Sequence, residues 1–291
     1  MTKRAKKYAS STAGTGKAAA PAAPVARGTL LGWGDSWLCY RPASQVFKES
    51  NLMKFLQEDG FTLAAQPIAQ AGMLLATMAS RPIDDQIYVL LDDLLSRNAA
   101  PQAIVLSASG NDCVKAALLQ YVVPKANGGP PVNQAAWDAH LQLLRSYFMT
   151  ILAKFQTVAS RHGTTVPVLL HGYDHPIADG RFLFLPIGGR DAWIFGWLNK
   201  QLGYTVEEST GIMKKLIDEL NDMMASLASA DVHHVNLTST LRDELGKGML
   251  DQEWFSTGYK TAWDNELHPT PEGFRALTNK VTAKLDLLVV V

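Results

Sequence analysis

From Gly28 onward the chain alternates short apolar runs with longer amphipathic stretches. That order constrains the fold more than any other feature. A strand covered on both faces reads as an unbroken apolar run, and the next parallel strand is reached only through a crossover, usually a helix. The clearest run is Ala103-Ile104-Val105-Leu106-Ser107, with Pro101 before it and Gly110-Asn111 after it. Thr29-Leu30-Leu31-Gly32-Trp33 is the expected first strand and leads straight into Gly34-Asp35-Ser36. Further strands are expected over 62–68, 166–170 and 232–237. Helical spacing covers 46–57 with Gly60 as its stop, 87–95, 134–160 ending near Gly163, and 272–285 after Pro271, a good first-turn residue. Residues 124–133, rich in Pro, Gly and Asn, read as a loop. The expected fold is a flavodoxin-like three-layer α/β/α sandwich around a central parallel sheet of about five strands.

The 291 residues suit one α/β domain with insertions, which we place at 28–291. Residues 1–27 open with Lys3-Arg4-Ala5-Lys6-Lys7 and continue in Ala, Ser, Thr, Gly and Pro. Such a segment buries too little apolar surface to offset the entropy of ordering it, so a disordered tail is expected. The other departure from the α/β rhythm is an aromatic-rich insertion at about 173–229. It carries Phe182, Phe184, Trp193, Phe195 and Trp197, then an amphipathic helix through Ile212, Leu216, Leu220 and Met224. It is either a cap beside the active site or a packed surface subdomain.

Composition narrows the partners. Lys plus Arg and Asp plus Glu number 27 each, which gives no electrostatic footprint for nucleic acid. No stretch approaches the roughly 18 apolar residues of a membrane span, and the basic start lacks the apolar core of a secretion signal. The two cysteines, Cys39 and Cys113, have neither metal-ligand spacing nor the density of a disulfide scaffold. These features lead to the expectation of a soluble cytoplasmic protein with free thiols, no stable membrane insertion and no nucleic-acid partner. Oligomeric state is left open.

In an open α/β sheet, ligands gather at the carboxyl ends of the strands. Ser36 follows the first strand, Asn111 the third, and His268 lies beyond the fifth. A serine hydroxyl is a weak nucleophile until a base takes its proton, and the oxyanion formed on attack needs preorganised donors. A serine at a strand-to-helix turn and a distant histidine meet the first need. Turn N–H groups and a side-chain amide meet the second. Serine there also serves as a helix cap, so position alone does not decide. His171 and His175 follow the fourth strand, but no third metal ligand has recognisable spacing, and His233-His234 falls in a strand where alternation sends the rings to opposite faces.

Four ordered blocks then resemble the GDS-type hydrolases, the SGNH or GDSL esterases and lipases. They are Gly34-Asp35-Ser36-Trp37, Gln70-Ala71-Gly72-Met73, Ser109-Gly110-Asn111-Asp112, and Asp264-Asn265-Glu266-Leu267-His268-Pro269. Together they span Gly34 to His268, nearly the whole folded chain. The resemblance implies an SGNH fold and a carboxylic ester hydrolase acting on a small-molecule ester through an acyl-serine, with no cofactor. Ser36 would be the nucleophile and His268 its base. The Ser36 and Gly72 backbone N–H groups and the Asn111 amide would form the oxyanion hole.

Two positions depart from the family pattern. Ser109 stands where a glycine is usual, a modest change if its backbone angles suit a non-glycine residue. The family's aspartate three residues before the histidine is Asn265, with Asp264 one step further. Asparagine can orient imidazole but brings no charge. The third member is therefore Asn265, Asp264, or a backbone carbonyl. The insertion's aromatics mildly favour an apolar acyl or aryl group. The same aromatics would stack on sugar rings in a carbohydrate O-acetyl esterase, and Asn265 motivates a third reading, an inactive binding protein that kept the fold.

Overall fold

The computed structural model of the chain describes residues 27–42, 49–180, 193–241 and 262–289. The tail but for Arg27, the first part of the helix expected over 46–57, and Phe182 and Phe184 of the insertion lie outside the described residues.

In chain order the elements are β1 (Thr29–Gly34), α1 (Leu52–Glu58), β2 (Thr62–Leu63), β3 (Ile68–Ala69), α2 (Leu75–Ser80), α3 (Gln86–Ser96) and β4 (Ala103–Ser107). They continue as α4 (Leu118–Tyr121), α5 (Gln134–Arg161), β5 (Val168–His171), α6 (Val206–Ala225), β6 (Val232–Val235) and α7 (Pro271–Leu285). Every strand pairing is parallel, in the order β2-β1-β4-β5-β6, and β3 pairs with β1 on the side away from β4. The sheet is thus the expected one, with its outer position shared by two two-residue strands. Pro67 lies between them, and a proline has no N–H to give to the ladder, so the single strand expected over 62–68 is split.

The chain leaves β1 in one direction to reach β2 and in the other to reach β4, β5 and β6. Right-handed crossovers therefore send α1 to one face of the sheet and α2, α3, α5 and α6 to the other. The packing agrees: α1 lies against α7, while α5 contacts α2, α3 and α6. Covered on both sides, β4 and β5 are buried throughout. Trp33 of β1 meets Tyr88 and Phe155 edge-on, at centroid distances of 5.8 and 5.6 Å, joining β1 to α3 and α5.

Caps set several boundaries. Asn51 is extended and its side chain accepts from Lys54 N, which starts α1 at Leu52. Thr205 and Glu208 form a capping box on α6. Thr270 caps α7, with Pro271 in its first turn. Among the described residues, no helix is long and apolar enough to cross a membrane.

Candidate active site

The switch in connection direction falls between β1 and β4, which places a crevice at their carboxyl ends. Gly34 is paired with Ser107 there, and a Cβ on Gly34 would lie 2.2 Å from the Ser107 carbonyl oxygen, so only glycine allows this approach. The next residue, Asp35, is 1% exposed and anchors the turn. Its Oδ1 accepts from Trp37 N at 3.0 Å and Ser107 Oγ at 2.6 Å, and its Oδ2 from Tyr173 Oη at 2.8 Å. Burial keeps the Tyr173 phenol protonated, as that donation requires. Three strand ends are tied to one carboxylate, and Ser36 is held in a short 3-10 turn above them.

Ser36 Oγ lies 2.7 Å from His268 Nε2. The ring's other nitrogen, Nδ1, lies 3.0 Å from Asn265 Oδ1. That same oxygen accepts from the backbone N–H groups of Leu267, at 2.9 Å, and His268, at 3.0 Å. Both are obligate donors, so the orientation of the Asn265 amide is fixed. An acceptor then faces Nδ1, which must carry the ring proton and leave the Nε2 lone pair toward Ser36. Burial, with Lys115 nearby, pushes His268 down to about 3, which keeps it neutral. Of the open choices for the residue behind His268, Asn265 is the one in contact; Asp264 binds Tyr40 Oη instead.

Asn111 faces the same crevice, and its Nδ2 donates to Met73 O at 3.1 Å. Gly72 lies one residue before Met73 in an exposed turn, at φ +77°, and is not among the residues lining the cavity. Asp112 Oδ2 accepts from Leu75 N at 2.9 Å and so supplies the cap that Leu74 cannot, joining the second and third blocks. Burial pushes the Asp112 carboxyl up to about 6. Ser109 is fully buried at φ +85°, the left-handed region that favours glycine, so its substitution for glycine is a strained one, on the order of 1 kcal/mol or more. Beside it, a Cβ on Gly110 would meet the Tyr173 ring at 2.8 Å.

The crevice opens into a small cavity whose wall includes Met213 and Ile217 of α6, the helix within the insertion. Trp193, also from the insertion, meets His268 edge-on at 6.0 Å. Both features put the insertion against the site. His171 instead stacks on Trp37 at 5.5 Å, and His175 Nε2 lies 2.5 Å from Asp218 Oδ1. Among the described residues no group of three or more His, Cys, Asp or Glu is placed to hold a metal. Of the cysteines, Cys113 is buried and Cys39 partly so, both as free thiols.

Glu266, which no sequence pattern marks, is fully buried next to Asn265. Its Oε1 accepts from Gly180 N and Phe195 N, both at 3.0 Å, and its Oε2 from Ile194 N at 2.9 Å. One carboxylate thus ties the two flanks of residues 181–192 to the histidine loop. Burial pushes it up to about 7, against the pull of these N–H groups. The folded chain then holds this proton more tightly than an unfolded one, whose glutamate titrates near 4.3. Its contribution to stability therefore falls as pH rises from about 4.3 to about 7, by up to about 3 kcal/mol. Urea unfolding at pH 5 and pH 7.5 checks this: Glu266→Gln should flatten the pH dependence across that window relative to the native chain.

No family model matches the chain, and no curated protein matches it. Among solved structures it is similar to the lipase Lip_vut3 from a goat rumen metagenome, at 14% identity over 88% of this chain and 96% of that one, with a TM-score of 0.51. It also aligns with an extracellular lipase from Streptomyces rimosus, at 15% identity over 88% and 99% of the two chains, TM-score 0.45. A third is Est24, a carbohydrate acetylesterase from Sinorhizobium meliloti, at 12% identity over 90% and 100%, TM-score 0.44. With its all-parallel sheet and its two helical layers, the chain has the flavodoxin-like three-layer α/β/α fold and shares its overall fold with Lip_vut3.

Proposed function

We propose that the protein is a serine hydrolase that cleaves carboxylic esters of small molecules through an acyl-serine intermediate. The observation that carries this reading is the 2.7 Å contact between Ser36 Oγ and the unprotonated Nε2 of a neutral His268. Ser36 Oγ attacks the ester carbonyl carbon as His268 Nε2 takes its proton. The tetrahedral oxyanion is met by the Ser36 backbone N–H and the Asn111 amide; Gly72, which the family resemblance adds as a third donor, lies outside the cavity wall. Collapse breaks the bond to the alkoxide oxygen, which receives the proton from His268 and leaves as the alcohol. Water, deprotonated by the same nitrogen, then hydrolyses the acyl-serine.

Treatment with a fluorophosphonate, followed by mapping of the adduct, tests the assignment. Labelling of Ser36 together with hydrolysis of an aryl acetate is expected. Folded protein that neither labels nor hydrolyses would instead be the binding protein that kept the fold. Strong preference for acetylated sugars over longer aryl esters would identify the carbohydrate O-acetyl esterase. The pH profile gives a second check, because a base pushed down to about 3 stays unprotonated through mildly acidic conditions. The acid limb of kcat/KM should therefore lie well below the ordinary histidine value of about 6.5.

A further inference from the structure

We propose that Tyr40 and Asp264 act as positioning residues behind His268, so that the Asp264 carboxylate reaches the imidazole through the Tyr40 hydroxyl and the Asn265 side-chain amide. The inference rests on the reading of Ser36 and His268 as nucleophile and base. With the Asn265 Oδ1 committed to three donors, its Nδ2 is the donor to Tyr40 Oη, at 2.8 Å. The single phenolic proton is then left to point at Asp264 Oδ2, which it contacts. Every donor along the line therefore faces the carboxylate: His268 Nδ1–H to Asn265, Asn265 N–H to Tyr40, Tyr40 O–H to Asp264. Burial and the Asp264 carboxylate hold the Tyr40 phenol well above its ordinary value, so it stays a donor.

The proton taken from Ser36 makes His268 an imidazolium, and polarisable hydrogen bonds ending in a negative charge stabilise that cation. No proton leaves Tyr40 or Asn265; the line only becomes more polarised as charge develops. Tyr40 also stacks on the His268 ring, at 4.1 Å between centroids and 2° between planes, so it fixes the ring's tilt as well. Other charged or titratable groups near the ring are Lys115, which opposes its protonation, and Asp35 and Asp174 on the walls of the same cavity. Glu266 is turned away, onto Gly180, Ile194 and Phe195.

The test is a mutant cycle on aryl acetate hydrolysis. Tyr40→Phe keeps the stacked ring and removes the hydroxyl, and Asp264→Asn keeps the shape and removes the charge. Each is made in the native chain and alongside Asn265→Asp, which puts a carboxylate directly on Nδ1. In the native chain each should lower kcat about tenfold with KM little changed, since the stabilised cation exists only in the transition state. Each should also move the acid limb of kcat/KM to lower pH, while Asn265→Asp moves it up. In the Asn265→Asp background the losses should shrink to below about twofold or reverse, because the remote carboxylate is then redundant or repulsive. Equal losses in both backgrounds with an unmoved acid limb would overturn the proposal and leave Tyr40 a packing residue. If Asp264→Asn does not fold by circular dichroism, Tyr40→Phe carries the test. Failure of the enzyme reading itself looks different: the native chain would neither label at Ser36 nor hydrolyse.

Discussion

Ser36→Ala should abolish ester hydrolysis, with kcat falling on the order of 10⁵-fold or more while the fold is retained. The substitution removes the attacking atom and nothing that supports the turn. Asp35 still accepts from Trp37 N, Ser107 and Tyr173, and the Cys39 N–H still donates to the Ser36 carbonyl. The one bond lost is that to His268 Nε2, at the wall of a cavity that water can enter, so stability should change by no more than about 1 kcal/mol. Single-turnover rates and thermal unfolding of the same sample check both halves. Pairing the substitution with His268→Ala sharpens the result. The two side chains act on one proton, so the double variant should be no slower than Ser36→Ala alone. A Ser36→Ala protein with more than about a hundredth of native activity would remove Ser36 from the mechanism.

The sequence made the sheet and most of the site readable, for identifiable reasons. β4 is found because five apolar or small residues lie between a proline and a Gly-Asn turn, and its burial is complete. The six-residue α2 escapes because so short a helix carries no period to detect, and its cap comes from Asp112, 37 positions away. Ser36, Asn111 and His268 are each marked by strand ends and block order. The choice between Asn265 and Asp264 was not readable, because it depends on how a loop turns: Oδ1 of Asn265 folds back onto the N–H groups of Leu267 and His268, which aims it at the ring. Tyr40 left no trace in sequence. It sits in no pattern, and its partner Asp264 is 224 residues distant. Glu266 was hidden for a similar reason: its three partners are backbone N–H groups of the insertion, which any residue type but proline could supply.

Asn265→Ala should be the most damaging change that leaves nucleophile and base intact. The side chain is fully buried, and its Oδ1 satisfies two backbone N–H groups as well as the imidazole. Truncation leaves those donors without a partner in a loop that water does not freely reach, at about 1–3 kcal/mol for each buried donor not rescued. It also frees the ring proton: without an acceptor at Nδ1, the tautomer bearing hydrogen on Nε2 is no longer disfavoured, and in that form the lone pair points away from Ser36. Losing tautomer control alone can cost several orders of magnitude, so kcat should fall about 10³-fold, with a smaller change in KM. Asn265→Asp is the informative contrast, since it retains an acceptor at the position of Oδ1 and should keep the tautomer. Comparing pre-steady-state acylation rates of the two variants separates orientation from charge. If Asn265→Ala acylates within about tenfold of the native rate, the amide is dispensable for holding His268, and the ring is being held by Tyr40 and the cavity wall instead.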